Sequence, residues 1–97
     1  VVGKKFKGDG TYYAPGLGSC GEVDTDSDLV VAMNPYWMSN GEMCGKKIKA
    51  TGPNGSVTVK VVDTCPGCAQ NDLDFSEDAY DMIGDKEQGR IPISWKF

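Results

Sequence analysis

Thirteen glycines in 97 residues, grouped so that no long helix fits between them, constrain this chain more than any other feature. Ala14-Pro15-Gly16-Leu17-Gly18, Gly52-Pro53-Asn54-Gly55 and Cys65-Pro66-Gly67-Cys68 are the clearest turn signals. The segments between them are short and read as strands. Val57, Val59 and Val61 alternate with Thr58 and Lys60, and Ile91, Ile93, Trp95 and Phe97 alternate with Pro92, Ser94 and Lys96. The Gly52-Pro53-Asn54-Gly55 turn predicts a hairpin joining Lys46–Thr51 to Ser56–Asp63, and Leu29–Met33 and Phe6–Tyr13 are two further strands. A helix is predicted after Ser76 as N-cap, with Glu77 and Asp78 in its first turn, Tyr80 and Ile83 on one face and Gly84 at its end. A second short helix fits Pro35–Met38. This pattern defines a mainly all-β domain with one or two short helices, and a small closed or nearly closed barrel removes the exposed strand edges.

The length allows one core, so residues 1–97 read as one small soluble domain. No apolar run approaches the roughly 20 residues of a membrane span. A formal charge of −4, with Arg90 the one arginine, argues against nucleic acid and against an anionic membrane surface, because both are bound by cationic neutralisation. A neutral ligand fits better. Histidine is absent, which removes imidazole-based triads and the usual catalytic zinc sites and leaves carboxylate, tyrosine or lysine as acid or base.

Four cysteines, Cys20, Cys44, Cys65 and Cys68, suggest two disulfides and an oxidising compartment, hence a secreted protein whose signal peptide has been removed. Which cysteines pair stays open, since four allow three connectivities. Cys65-Pro66-Gly67-Cys68 also admits a redox pair or half of a zinc site. A thioredoxin-type pair needs a helix starting at its first cysteine, whereas this motif runs into Ala69-Gln70-Asn71-Asp72. No second CxxC supports zinc, and no metal or cofactor is expected.

Two carboxylates are candidates for chemistry. Asp63 follows Val61 by two, so strict alternation aims it toward the apolar side at the end of its strand, where it either binds the amides of the following turn or serves a site. Asp74 lies between Leu73 and Phe75, so alternation presents it on the accessible side unless it merely orients the next helix. Asp24, Asp26 and Asp28 read as a solvated loop. Tyr12, Tyr13, Tyr36 and Trp37 adjoin turns, where flat rings can stack on sugars or on peptide side chains. Tyr12 and Tyr13, being adjacent, point to opposite faces.

The motifs Gly10-Thr11-Tyr12-Tyr13, Gly18-Ser19-Cys20-Gly21, Val31-Ala32-Met33-Asn34, Cys44-Gly45-Lys46-Lys47-Ile48, Val61-Val62-Asp63-Thr64-Cys65-Pro66-Gly67-Cys68, Leu73-Asp74-Phe75-Ser76 and Gly89-Arg90-Ile91-Pro92-Ile93-Ser94-Trp95 resemble, in order, the first domain of expansins, above all the single-domain loosenins. The resemblance covers nearly the whole chain. It implies a six-stranded double-psi β-barrel, the fold of barwin, kiwellins and family-45 endoglucanases, and a groove with functional residues at Thr11, Tyr13, Asp63 and Asp74. Family-45 hydrolases set a base about 6.5–9.5 Å from the acid to admit water. Asp74 matches the acid, and no residue here clearly matches the base.

The resemblance therefore implies a protein that binds cellulose, chitin or a related cell-wall glucan and loosens it without hydrolysis, not an enzyme; nothing in the sequence suggests more than a monomer. Expansins carry a second, binding domain after the barrel, so affinity at this length is expected to be low. Barwin-like barrels also include cysteine-protease inhibitors, for which Tyr12, Tyr36 and Trp37 could supply a wedge. A lytic enzyme on glucan or peptidoglycan is the remaining reading.

Overall fold

The computed structural model describes residues 4–39 and 43–97, and their six strands close into one barrel. In chain order the elements are β1 (Phe6–Tyr13), β2 (Val30–Met33), α1 (Pro35–Met38), β3 (Lys47–Gly52), β4 (Gly55–Thr64), β5 (Leu73–Ser76), α2 (Glu77–Asp81), a 3-10 turn over Lys86–Gln88 and β6 (Ile91–Lys96). Around the barrel the order is β1-β5-β2-β4-β3-β6, with β1 and β6 pairing to close it. β1 with β5 and β2 with β4 are parallel, and the remaining neighbours are antiparallel, which is the double-psi arrangement. Closure gives each of the six strands a neighbour on both sides.

Alternation produces the core directly. Ile48 and Ala50 from β3, Val57, Val59 and Val61 from β4, Leu73 and Phe75 from β5, and Ile91, Ile93 and Trp95 from β6 are buried together inside the barrel. The predicted hairpin is present, with Gly52 paired to Gly55, and Gly55 holds a positive φ of 149° that favours glycine. Strand β5 had been legible only as an alternation of Leu73 and Phe75, because four residues are too few to assert a strand.

Two local expectations change. Ser76 makes no side-chain cap to α2; it is fully buried, and its Oγ accepts from Val30 N at 3.5 Å. Helix α2 stops at Asp81, although Tyr80 and Ile83 are both buried as the pattern required.

Two disulfides brace the loops, Cys20–Cys44 and Cys65–Cys68. The first spans 24 residues and ties the loop after β1 to the start of β3, while the second spans 3 and closes the turn after β4. Chain-entropy arguments make the longer loop the larger contributor, about 3 kcal/mol. Replacing Cys20 and Cys44 together by serine should therefore lower the urea midpoint by far more than the same change at Cys65 and Cys68. Equal shifts in the two denaturation curves would contradict that ordering.

Candidate functional site

One row of residues crosses four neighbouring strands. Thr11 of β1 stands level with Asp74 of β5, Asp74 with Ala32 of β2, and Ala32 with Asp63 of β4. Paired residues share a face, and Phe75 and Val31 next to the row point inward, so the row lies on the outer surface of the barrel. Ala32, between the two acids, is only 2% exposed, so the accessible part of the row is the half-buried Thr11, Asp74 and Asp63. Adjacent strands sit about 4.8 Å apart, which places the Asp63 and Asp74 Cα atoms about 10 Å from each other.

The position of Asp63 corrects the sequence reading. Strict alternation with Val57, Val59 and Val61 aimed it at the core, but the register slips between Val31 and Ala32, so that Val61 pairs with Val31 and Asp63, not Val62, pairs with Ala32. This bulge turns Asp63 outward beside Asp74. Asp63 Oδ1 accepts from Thr64 N at 2.8 Å and from Ser19 N at 2.9 Å, so the carboxylate also anchors the incoming loop. Gly18 permits that approach: a Cβ there would stand 2.3 Å from Val62 O.

Asp74 is half-buried and hydrogen-bonded. Thr11 Oγ1 donates to its Oδ1 at 2.7 Å. Burial pushes its carboxyl above the usual carboxylate range; the Thr11 hydrogen bond and the Arg90 charge oppose the rise, and the Asp63 charge adds to it. Arg90 is held nearby by Asp9 at 3.1 Å and Asp72 at 3.6 Å. Tyr13 lies on the same outer face as Thr11. Its hydroxyl is buried without a hydrogen-bond partner among the described residues. Burial, then the charges of Asp63, Asp74 and Asp24, push its ionisation far above the ordinary tyrosine value, so it stays a neutral donor. Burial thus shifts two groups beside this row, Asp74 and Tyr13, toward their protonated forms.

The other aromatic candidates separate from this row. Tyr12 points to the core side; its ring centroid lies 4.8 Å from that of Tyr80, and its hydroxyl donates to Lys86 O at 3.3 Å. Trp37 packs edge-on to Phe6, Trp95 and Phe97 and donates from Nε1 to Gln70 O at 2.8 Å, while its neighbour Tyr36 is 64% exposed. Phe6 is five residues from Thr11 along β1, or about 17 Å, so Tyr36 and Trp37 belong to a different region.

Sequence reasoning missed four features. Asp24 was read as solvated with Asp26 and Asp28, yet it is only 9% exposed; burial raises its carboxyl, Glu22 adds to that, and its Oδ2 has no hydrogen-bond partner among the described residues. Its burial comes from the loop closing through Asp24 N to Gly16 O and the Leu17–Val23 bridge, which no local pattern announces. The other three are Arg90, whose only signal was being the sole arginine, the Ser19 amide on Asp63, and the exposed apolar pair Leu17 and Val23.

A closed six-stranded double-psi barrel with a carboxylate-and-hydroxyl row on its outer face defines a class of proteins. The family model described as "Lytic transglycolase" matches residues 5–95, and the chain belongs to that family of double-psi barrels, as an expansin-like member. It is 30% identical over 103 residues to an EG45-like domain containing protein of Citrus jambhiri, covering 92% of this chain and 79% of that protein. Among solved structures it is similar to a Clavibacter michiganensis expansin, an aspartate-to-asparagine mutant in complex with cellohexaose, at a TM-score of 0.88 and 35% identity. The match covers 96% of this chain and 50% of that one, so the chain spans half the expansin's length. It is also similar in shape to a Streptomyces papain inhibitor, with a TM-score of 0.85, 27% identity, and coverage of 97% and 94%.

Proposed function

We propose that this domain lies along a cellulose-like glucan chain at the Thr11–Asp74–Ala32–Asp63 row and loosens contacts between chains without hydrolysing them, outside the cell. The observation that carries this reading is Asp74: a half-buried carboxyl kept protonated to higher pH than usual, steadied by Thr11 and placed on the outer face of the barrel. In its neutral form it donates a hydrogen bond to a sugar oxygen and so competes with hydrogen bonds between chains. Asp63 does not complete a hydrolytic pair. Its Oδ1 is taken by the amides of Ser19 and Thr64, which supports an anchoring role over that of a base. The cellohexaose complex of the Clavibacter expansin supports a glucan as ligand, and the two disulfides fit an oxidising, extracellular setting.

Titrating the 15N-labelled protein with cellohexaose tests the placement. Amide shifts should move at Gly10, Thr11, Ala32, Asp63 and Asp74, with an affinity near millimolar, about −4 kcal/mol. Shifts absent from that row would refute the placement. One acid is enough for a cut in which the sugar's own hydroxyl is the nucleophile, so the same incubations with insoluble cellulose or peptidoglycan are analysed for soluble reducing and anhydro ends. Their release above a heat-treated control would make the domain lytic.

A second reading, cysteine-protease inhibition, is favoured by the Streptomyces papain inhibitor and by a feature of the loop after β1. Leu17 and Val23, 73% and 75% exposed, bridge each other on a loop pinned by Cys20–Cys44. Such an apolar tip suits a cleft better than Tyr12, whose ring is packed on Tyr80. Stoichiometric papain inhibition, lost on Leu17→Asp and kept on Asp74→Asn, is the outcome that reading requires.

A further inference from the structure

The opposite side of the barrel has a different chemistry. Strands β3 and β6 lie across the ring from β5 and β2, and their outer positions carry lysines. Lys49 stands directly opposite Lys96, in a register that also sets Thr51 opposite Ser94 and Ser94 opposite Lys7. Lys5 joins Lys49 and Lys96 around one small hollow, and with Lys4 and Lys7 it also borders the adjoining concavity of about 580 Å3 beside Tyr36, Trp37 and Phe97. Among the described residues no Asp or Glu side chain lines either hollow. The ion pairs among the described residues use Lys60, Lys86 and Arg90, and none uses Lys5, Lys7, Lys49 or Lys96. The described acids of a chain with fourteen acids and ten bases thus stay away from these hollows. Like charges directly opposite on paired strands repel, and an anion bridging them relieves the repulsion.

We infer that this lysine face, with the rings beside it, is a second polysaccharide-binding surface, specific for a carboxylated glycan such as a polyuronate. Three observations select that chemistry. The flat rings of Tyr36 and Phe97, 64% and 48% exposed, give sugar faces a stacking partner next to the ammonium groups. Lys49 and Lys96 face each other on strands about 4.8 Å apart, so two ammonium groups converge on one short stretch of a carboxylated chain. Duplex nucleic acid, at one charge per roughly 1.7 Å, is a far denser anion, and the net charge of −4 opposes its approach more strongly than that of a chain with one charge per sugar. The surface lies apart from the Asp74 row and does not depend on the function proposed for that row.

Affinity electrophoresis tests it, with gels containing polygalacturonate, a neutral glucan, or no polymer. The wild-type protein should be retarded by polygalacturonate at low salt and released as salt rises. The double variant Lys49→Gln, Lys96→Gln should lose at least tenfold in apparent affinity, Tyr36→Ala severalfold, and Asp74→Asn nothing. The lysine positions are on the surface, so an unchanged or raised melting temperature shows the double variant is folded. Unaltered retardation of the double variant overturns the proposal. So does an absence of wild-type retardation, or equal retardation by duplex DNA or binding to phosphatidylserine vesicles of equal strength, since these would mark a general polyanion surface. Because Asp74→Asn keeps polygalacturonate binding while failing at the groove, the two readings fail independently.

Discussion

Replacing Trp95 by alanine should remove about 3–5 kcal/mol of stability, a large share of what a domain this size possesses. Trp95 is buried in the barrel, stacks on Phe6 with centroids 4.6 Å apart, and takes edge contacts from Trp37 and Phe97. Its Nε1 donates to Asn71 O at 2.9 Å, which fixes the turn leading into β5. Trp95→Phe keeps most of the ring area but leaves Asn71 O without this donor, so its cost should be smaller, about 1–3 kcal/mol. Urea denaturation of the two variants reads the series. A loss of under 1 kcal/mol for Trp95→Ala would mean that the core is not organised around this ring. The expected drop in melting temperature for alanine is more than 10 °C, taking about 4–8 °C per kcal/mol for a domain of this length.

The second large effect is on pH dependence. Burial raises the carboxyl of Asp74 in the folded state above its unfolded value of about 3.9, so the folded protein holds that proton more tightly. The stability this contributes is fully present below the unfolded value and is lost as pH rises through the folded one. Asp74→Asn should therefore match the wild type in acid and become relatively more stable as the solution approaches neutrality. The asparagine oxygen can still accept from Thr11 Oγ1, so the fold has no reason to fail. Loosening follows the same proton: it should be strongest in acid and decline through the raised value of Asp74. Thermal denaturation of both proteins at several pH values checks the sign. A variant that loses ground to the wild type with rising pH would reverse the assignment.

Most of the barrel was legible because its strands are half-buried and alternate. β4 and β6 read directly from Val57, Val59 and Val61 and from Ile91, Ile93 and Trp95, and β3 followed as the hairpin partner of β4 across the Gly52-Pro53-Asn54-Gly55 turn. Alternation also placed Asp74 outward, because Leu73 and Phe75 bracket it. The same logic failed at Asp63, where a bulge opposite β2 inserts one residue and reverses the face; a bulge depends on a partner strand some thirty positions distant and leaves no local mark. Asp24 escaped for a related reason, since its burial is made by a loop folding over it. The aromatic candidates were chosen for standing near turns, which does not say which way a ring points. Tyr12 turned inward onto Tyr80, and Tyr36 and Trp37 joined the Phe6 and Phe97 cluster at the far end of β1. Thr11 came from the family resemblance alone, and the structure adds that its hydroxyl donates to Asp74 Oδ1.

The central claim is that one protonated side chain, not a pair of acids, does the work of the groove. Mechanical extension of cellulose fibres at acidic pH, run with wild type and Asp74→Asn at equal concentration and followed by analysis of the surrounding solution for sugars, tests it most directly. The account predicts weakening by the wild type with no soluble sugar released, and extension no greater than buffer alone for the folded variant. Weakening by the variant equal to that of the wild type would contradict it.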